Sequence, residues 1–442
     1  MTMRRVRLLS LLTLFALAAG AQTELRLTEE QAMNLALENS RALHASLMRV
    51  NYADARASEV NAGRLPSLKV TGAYTRLSDV PPFAVALPPQ LGGNSFVLAP
   101  SVLNNYTLKA SVEQPLFTGL KLEAASSAAD LSARAAEQEH ARNRAEILYN
   151  VRVAYWSLFK AMEFKKVIDE TVEQMKAHLR DVQSMMDQGM ATTNDVLKVQ
   201  VQLSDAELRR IEADNNVQLA MIALNNAIGI PLQTRVVIDS EPGREAAVME
   251  TDLHALVERA LERRPELNAG AYRVKAAEAG VTAARGGWWP QVFLAANYYY
   301  NRPNQRIQPV QDVFKDTWDV TIGVSLDIWN WGKTLHQSDQ ASAQLEEARD
   351  ALAQLKDAVT LDVTQSYLNL QQAKQRIRVA EEGVQQAQES YRITNKRFKE
   401  GLAQNSDLLD AEVALLQART NFTQARVDFA LAHARLQKAI GE

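Results

Sequence analysis

One phrase occurs twice in this chain. Residues 188–197 read QGMATTNDVL, and 212 positions later residues 400–409 read EGLAQNSDLL, so that Gly189, Asp195 and Leu197 return as Gly401, Asp407 and Leu409. A Gly-x5-Asp-x-Leu phrase set in helix-forming sequence predicts two equivalent places where a helix stops, reverses and restarts. Glycine tolerates the left-handed conformation that ends the first helix, and Asn194 or Ser406 can cap the second. The same offset superposes Val151 on Val363, Tyr155 on Tyr367, Val201 on Val413 and Ala-Ile-Gly at 227–229 on 439–441. Upstream, Leu65-Pro66 falls on Trp289-Pro290 at an offset of 224, so the first copy carries 12 extra residues. They lie in the Pro- and Gly-rich stretch 78–100, read as a long surface loop. A chain built this way is one unit written twice: a first repeat over 22–229, a linker over 230–251 and a second repeat over 252–442.

Within each copy the apolar period settles the element type. Val151, Ala154, Leu158, Ala161, Lys165, Ile168, Val172, Met175, Leu179, Val182 and Met186 follow a 4-3 spacing with Lys165 as the one polar member, and Val359 to Phe398 repeats it. Second seams follow each glycine, Val196 to Ala227 and Leu408 to Ala439. These are heptad seams of antiparallel helical hairpins. The pattern is nearly unbroken from Leu120 to Gln188, an element on the order of 100 Å long at about 1.5 Å per residue.

Between the helices the period changes to two. Strands are expected at about 66–76, 106–115, 290–300 and 318–328, in two hairpins; in the last, Val320, Ile322, Val324, Leu326 and Ile328 alternate with polar or small residues. Aromatic residues mark the strand ends: Trp288, Trp289, Trp329 and Trp331 at one end, Tyr298, Tyr299, Tyr300 and Trp318 at the other. A tilted strand from Trp289 to Tyr300 rises roughly 28 Å, close to the apolar band of an outer-membrane barrel between its aromatic belts. Four strands cannot close such a barrel, which needs about eight or more. The barrel must be shared, as eight, twelve or sixteen strands from a dimer, trimer or tetramer.

Arg4, Arg5 and Arg7, the apolar run 8–18 and Ala19-Gly20-Ala21 read as a signal peptide over 1–21, cleaved before Gln22. A net charge of −3 offers no electrostatic basis for nucleic-acid binding, and six scattered histidines without any cysteine supply no zinc site, metal site or thiol nucleophile. No cofactor is expected, and no nucleophile–base constellation suggests an enzyme.

Duplicated helix–β-hairpin–long-helical-hairpin units behind a signal peptide resemble the TolC-like outer-membrane efflux family over essentially the whole mature chain. The resemblance implies an α+β membrane protein, a homotrimer whose twelve-stranded β-barrel sits in outer-membrane lipid and continues as a periplasmic α-helical coiled-coil barrel. It implies an outer-membrane channel that works with a periplasmic adaptor and an inner-membrane transporter and passes drugs or other small molecules. A type I polypeptide secretion duct is the alternative within the class, and a periplasmic coiled-coil adaptor or structural protein the alternative outside it. It also implies roles for residues at matching positions. Asp407 and Asp410, with Asp195, would ring a periplasmic gate, although Asp407 and Asp195 are equally suited to stabilising helix N-termini. Gly189, Met190, Leu197, Gly401, Leu402 and Leu409 would present exposed tips to the adaptor, although the two leucines can instead staple their own hairpins. Ala403 and Phe398 depart from the family's polar latch, so closure here is expected to rest on packing. The 78–100 loop is expected to face the exterior and narrow the barrel mouth.

Overall fold

The computed structural model describes residues 24–239 and 252–442, apart from 82, 87–89, 91, 93, 94 and 100. The expected signal peptide over 1–21 and the linker from 240 to 251 lie outside the described residues.

Two helices dominate, α3 (Lys121–Asp187) and α7 (Lys333–Lys399), each of 67 residues. Each reverses at its glycine into a shorter partner, α4 (Thr193–Ile228) or α8 (Asn405–Ala439). The two reversals use one hydrogen-bond pattern. Gly189 at φ 73° donates to the Met186 carbonyl at 2.9 Å and Met190 to Met185 at 2.8 Å; Gly401 at φ 70° donates to Phe398 at 2.9 Å and Leu402 to Arg397 at 2.8 Å. This is a Schellman closure, which satisfies carbonyls that the ending helix leaves without partners. The returning helices are capped two residues earlier than expected. Thr192, not Asn194, forms a capping box with Asp195, and the Gln404 N–H, not Ser406, engages Asp407.

Contacts gather the chain into two units that cut across the duplication. The first holds the residues up to Arg41, those from Glu146 into the linker, and Ser366–Leu436. Here the heptad seams are buried: Val151, Leu158, Ile168, Val172 and Val182 on α3, and Val199, Ala213 and Leu224 on α4, are almost fully enclosed. Lys165 is tolerated in the seam because its ammonium leaves it for Asp169 at 2.6 Å and Asp214 of α4 at 3.1 Å. A short parallel pair that the sequence pattern does not announce, β1 (Leu25–Leu27) with β6 (Val236–Ile238), packs with α1 (Glu29–Asn39) on this core. The buried Tyr155 hydroxyl donates to the Leu27 carbonyl at 3.0 Å. The described start of the expected linker is thus structured: Asn225, fully enclosed, donates to the carbonyls of Leu232 and Thr234.

The second unit holds α2 (Arg41–Ala62) from Ala42 onward, α5 (Leu253–Arg263), α6 (Pro265–Arg285), the opening parts of α3 and α7, and the remaining strands. Four strands, β2 (Ser67–Arg76), β5 (Asn104–Phe117), β7 (Gln291–Arg302) and β8 (Lys315–Ser325), form one antiparallel sheet in the order β2-β5-β7-β8. The two expected hairpins are therefore joined edge to edge through β5 and β7. β8 ends at Ser325, short of the Leu326 and Ile328 assigned to it by alternation. The 78–100 stretch is more than a loop, because β3 (Phe83–Ala86) pairs with β4 (Ser95–Ala99).

Gly229 closes α4 in the left-handed region at φ 74°, and a Cβ there would come within 2.7 Å of the Asn39 Cβ. Gly229→Ala is expected to lower stability by about 1–3 kcal/mol through backbone strain and that collision, read as a reduced melting temperature.

Candidate functional site

Two places in the chain carry features a compact globular core does not need. The first is the sheet. Register places Leu68, Val70 and Tyr74 of β2, Tyr106, Leu108 and Val112 of β5, Tyr298 and Tyr300 of β7, and Trp318, Val320, Ile322 and Val324 of β8 on one face. All of these are exposed, Trp318 and Ile322 at 69%. The opposite face carries Lys69, Thr71, Lys109, Ser111, Asn297, Asp319 and Thr321, where Asn297 donates to Asp319 at 2.8 Å. An apolar face this broad, left uncovered, matches the outer surface of a membrane barrel, whose strands alternate apolar outward and polar inward.

The expected aromatic positions are all present, with one change. Trp288 and Trp289 before β7 and Trp329 and Trp331 after β8 are exposed, the last two in edge-to-face contact at 5.7 Å. Tyr299 does not join Tyr298 and Tyr300: strand alternation turns it to the polar face, where the Lys109 ammonium sits 5.3 Å from its ring centre. Sequence reasoning missed Tyr74, Tyr106 and Phe314. Their rings pack at 5.0 Å for Tyr74 on Tyr106, and Phe314 stacks on Tyr300 at 5.1 Å. Tyr74 and Tyr106 each lie on the apolar alternation of their strand, which was a signal, but their alignment depends on a register visible only once the strands pair. Among the described residues no helix is long and apolar enough to cross a membrane.

The second place is the pair of helix reversals. Met190, Leu197 and Leu402 are exposed, at 64%, 53% and 65%. Leu409 is not: it is 9% exposed and packs with Leu408, Val196, Val199, Val182, Met175 and Phe398, so the expectation of an exposed Leu409 is corrected. The difference between Leu197 and Leu409 lies in their neighbours, since the repeats match in sequence but are packed differently. Asp195 and Asp407 both serve the first turns of their helices. The Asp195 carboxylate accepts from the Thr192 hydroxyl at 2.6 Å and the Thr192 N–H at 3.0 Å, which holds its pKa below the usual aspartate value. Asp407 accepts from the Gln404 N–H at 3.1 Å. Asp410 is exposed, one turn further into α8. Among the described residues no group of three or more His, Cys, Asp or Glu is placed to hold a metal ion.

The family model described as "Outer membrane efflux protein" matches residues 32–230 and 256–442, both repeats and most of the chain. The chain belongs to the outer membrane efflux protein family. It is 25% identical over 320 residues to the pyoverdine export outer membrane protein OpmQ of Pseudomonas aeruginosa, covering 72% of this chain and 65% of that one. It is 22% identical over 236 residues to the outer membrane protein TolC of Vibrio cholerae, covering 53% and 54%. The chain thus spans between half and two thirds of these relatives' lengths. In fold it matches the outer membrane protein VceC of Vibrio cholerae with a TM-score of 0.79 at 20% identity, over 93% of this chain and 96% of that one. The α+β architecture is that of the outer membrane protein it matches in fold, and an outer-membrane location accounts for the uncovered apolar sheet face.

The cap at the first reversal has a pH signature. Because the Asp195 carboxyl is depressed, its contribution to the chain's stability is complete above the ordinary aspartate value of about 4 and is lost as pH falls through the depressed value. Asp195→Ala is expected to destabilise the start of α4 by about 0.5–2 kcal/mol at neutral pH and to flatten the acid limb of a melting-temperature profile.

Proposed function

We propose that three copies of this chain pool their four-stranded sheets into one twelve-stranded outer-membrane barrel, continued by a periplasmic tube of helical hairpins. The assembly is a passive exit duct for small molecules. A periplasmic adaptor and an inner-membrane transporter deliver the cargo and supply the energy, and the chain itself performs no catalysis. The observation that carries this reading is the uncovered apolar face on a sheet whose outer strands, β2 and β8, each have one edge without a partner among the described residues. Backbone N–H and C=O groups at an open edge have no partners in hydrocarbon, so the edges must close on strands of further copies.

The helices support the same assembly. Leu197, Val201, Leu208, Ile211, Leu219 and Ile222 form an exposed stripe along α4, and Leu368, Val379 and Ile393 a sparser one on α7. Their spacing approximates the heptad of the buried seams, which suits further copies completing a ring of helices. The name of OpmQ, a pyoverdine export protein, favours small-molecule cargo.

At the periplasmic end, Asp410 is the foremost gate carboxylate, since it is exposed and does not cap. Asp407 joins it while also holding its helix start, and Asp195 is given over chiefly to capping. Three copies would collect six carboxylates from Asp407 and Asp410, which favours cations and repels anions. Met190, Leu197 and Leu402, carried at the Gly189 and Gly401 reversals, are the apolar groups offered to the adaptor. The strand pair within 78–100 is assigned to the exterior mouth.

Ile322→Lys is expected to destabilise barrel assembly by about 2–4 kcal/mol, while Thr321→Lys on the polar face is tolerated; heat resistance of the assembled species in folding gels separates the two. In planar bilayers the purified protein is expected to show a small cation-selective conductance. Asp407→Ala/Asp410→Ala should enlarge it and remove the selectivity; a large wild-type conductance unchanged by the substitutions would discard the carboxylate gate.

A further inference from the structure

The duplication also repeats the joint between the sheet and the long helices, and the two copies of that joint are occupied differently. β5 runs into α3 through Gly119 and Leu120, at φ 64° and 67°, and β8 runs into α7 through Trp331 and Gly332, at φ 55° and 78°. These exit turns lie 212 positions apart, the offset of the helix reversals. The entry turns correspond as well, at the offset of 224. Before β7 the Trp289 N–H donates to the Gly286 carbonyl at 3.2 Å, and before β2 the Leu65 N–H donates to the Ala62 carbonyl at 3.0 Å.

Within one chain the first exit meets the second entry. A Cβ built on Gly119 would strike the Gly286 carbonyl and come within 2.7 Å of the Trp289 Cβ, so the two turns rest backbone on backbone, and Gly286 is buried. The contact follows from the pairing of β5 with β7, which sets the end of one strand beside the start of the other. The exit after β8 and the entry before β2 belong instead to opposite edges of the sheet. Ala62 is exposed where its counterpart Gly286 is buried, Leu65 is 64% exposed and Trp331 is 86% exposed.

Trp331 is an unusual occupant of such a turn. The left-handed region disfavours a bulky side chain, and the counterpart position holds glycine. Its indole meets Trp329 edge to face at 5.7 Å and is otherwise open to the surroundings. Backbone strain of this kind persists where neighbouring contacts hold it, and a single chain gives this indole few. Beside the entry before β2 lies a cavity of about 780 Å³ whose lining includes Ala62, Arg64, Leu65, Phe117, Glu123 and Asp130. Leu65 and Phe117 suit an aromatic ring, and the two carboxylates offer acceptors to an indole N–H, which needs one when buried.

We propose that Trp331 of one copy seats in this cavity of the next copy and locks the seam between β8 and β2 where the barrel joins the helices. The inference rests on the reading that copies join through their open sheet edges, and it names the residue that fixes the joint. With four antiparallel strands per copy, β8 meets the next copy's β2 antiparallel, so the end of β8 comes beside the start of β2 as β5 and β7 already do within a chain. A side chain in the place of Gly119 cannot approach an entry turn as closely as glycine does. The joint between copies therefore stands wider than the joint within a chain, and the indole fills the difference.

The sequence has no cysteine, so introduced thiols report the joint without background. Trp331→Cys/Leu65→Cys is oxidised in detergent and run on a gel without reductant. The corresponding positions within the chain bring their Cβ atoms together, so thiols at 331 and 65 of neighbouring copies fall in the range of about 3.5–4.5 Å between Cβ atoms that a disulfide bridges. A ladder ending at three covalently linked copies is expected, and neither single-cysteine variant should give it. Trp331→Gly separates anchoring from strain. Relief of strain alone would raise the temperature at which the assembled species dissociates, whereas loss of the anchor lowers it, and lowering is expected. Assembled copies that give no ladder, or that resist heat as well with Trp331→Gly as without it, would overturn the anchor, leave Trp331 facing lipid only and let the channel reading stand. A chain that never associates, read by light scattering of the same samples, would sink both.

Discussion

Unpaired backbone is the constraint on which the rest depends. In hydrocarbon an N–H or C=O without a protein partner costs several kcal/mol, so a sheet that enters a membrane must close. The β2-β5-β7-β8 sheet has an apolar face fit for lipid but, among the described residues, two edges without partners, and alternation alone gives one chain no means of closing it. The oligomer and shared barrel proposed above answer that shortage, and the exposed stripes on α4 and α7 suit them. A chain with twice as many strands would not need them.

The helical part rests on a different balance. Long helices gain little from intrinsic propensity and are stabilised by packing along their seams. Val151, Leu158, Ile168, Val172 and Val182 form such a seam, and Lys165 interrupts it at little cost because Asp169 and Asp214 lie within reach of its ammonium. At each reversal the ending helix is closed by two backbone hydrogen bonds after a left-handed glycine. The returning helix begins on an aspartate that accepts a backbone N–H three residues before it. The Gly-x5-Asp phrase is thus a stop signal and a start signal at fixed spacing. That is a sufficient structural reason for its duplication, and Asp410 lies outside the cap, exposed on α8.

Much of this was legible in the chain because each feature has a local cause. The 67-residue helices, the glycine reversals and the four strands came from periods of 3.5 and 2 and from the conformational freedom of glycine, all of which act within a few residues. The misreadings share the opposite property. Thr192 took the cap from Asn194 because a threonine three residues before Asp195 completes a reciprocal pair. β1 and β6 were overlooked because three-residue strands more than two hundred positions apart have no local pattern. Tyr299 was grouped with its neighbours although alternation opposes it to both.

By itself the sequence determined the duplicated plan, the element types, the places of reversal and the membrane character of one sheet, since these follow from short-range periodicity and glycine conformation. Only the tertiary structure decided that Leu409 is buried while its counterpart Leu197 is exposed. It also decided that the two hairpins pair through β5 and β7, and that His178, Glu412 and Asn405 meet. Those outcomes depend on which surfaces come together between residues far apart in the chain, where equivalent positions in a repeat meet non-equivalent neighbours.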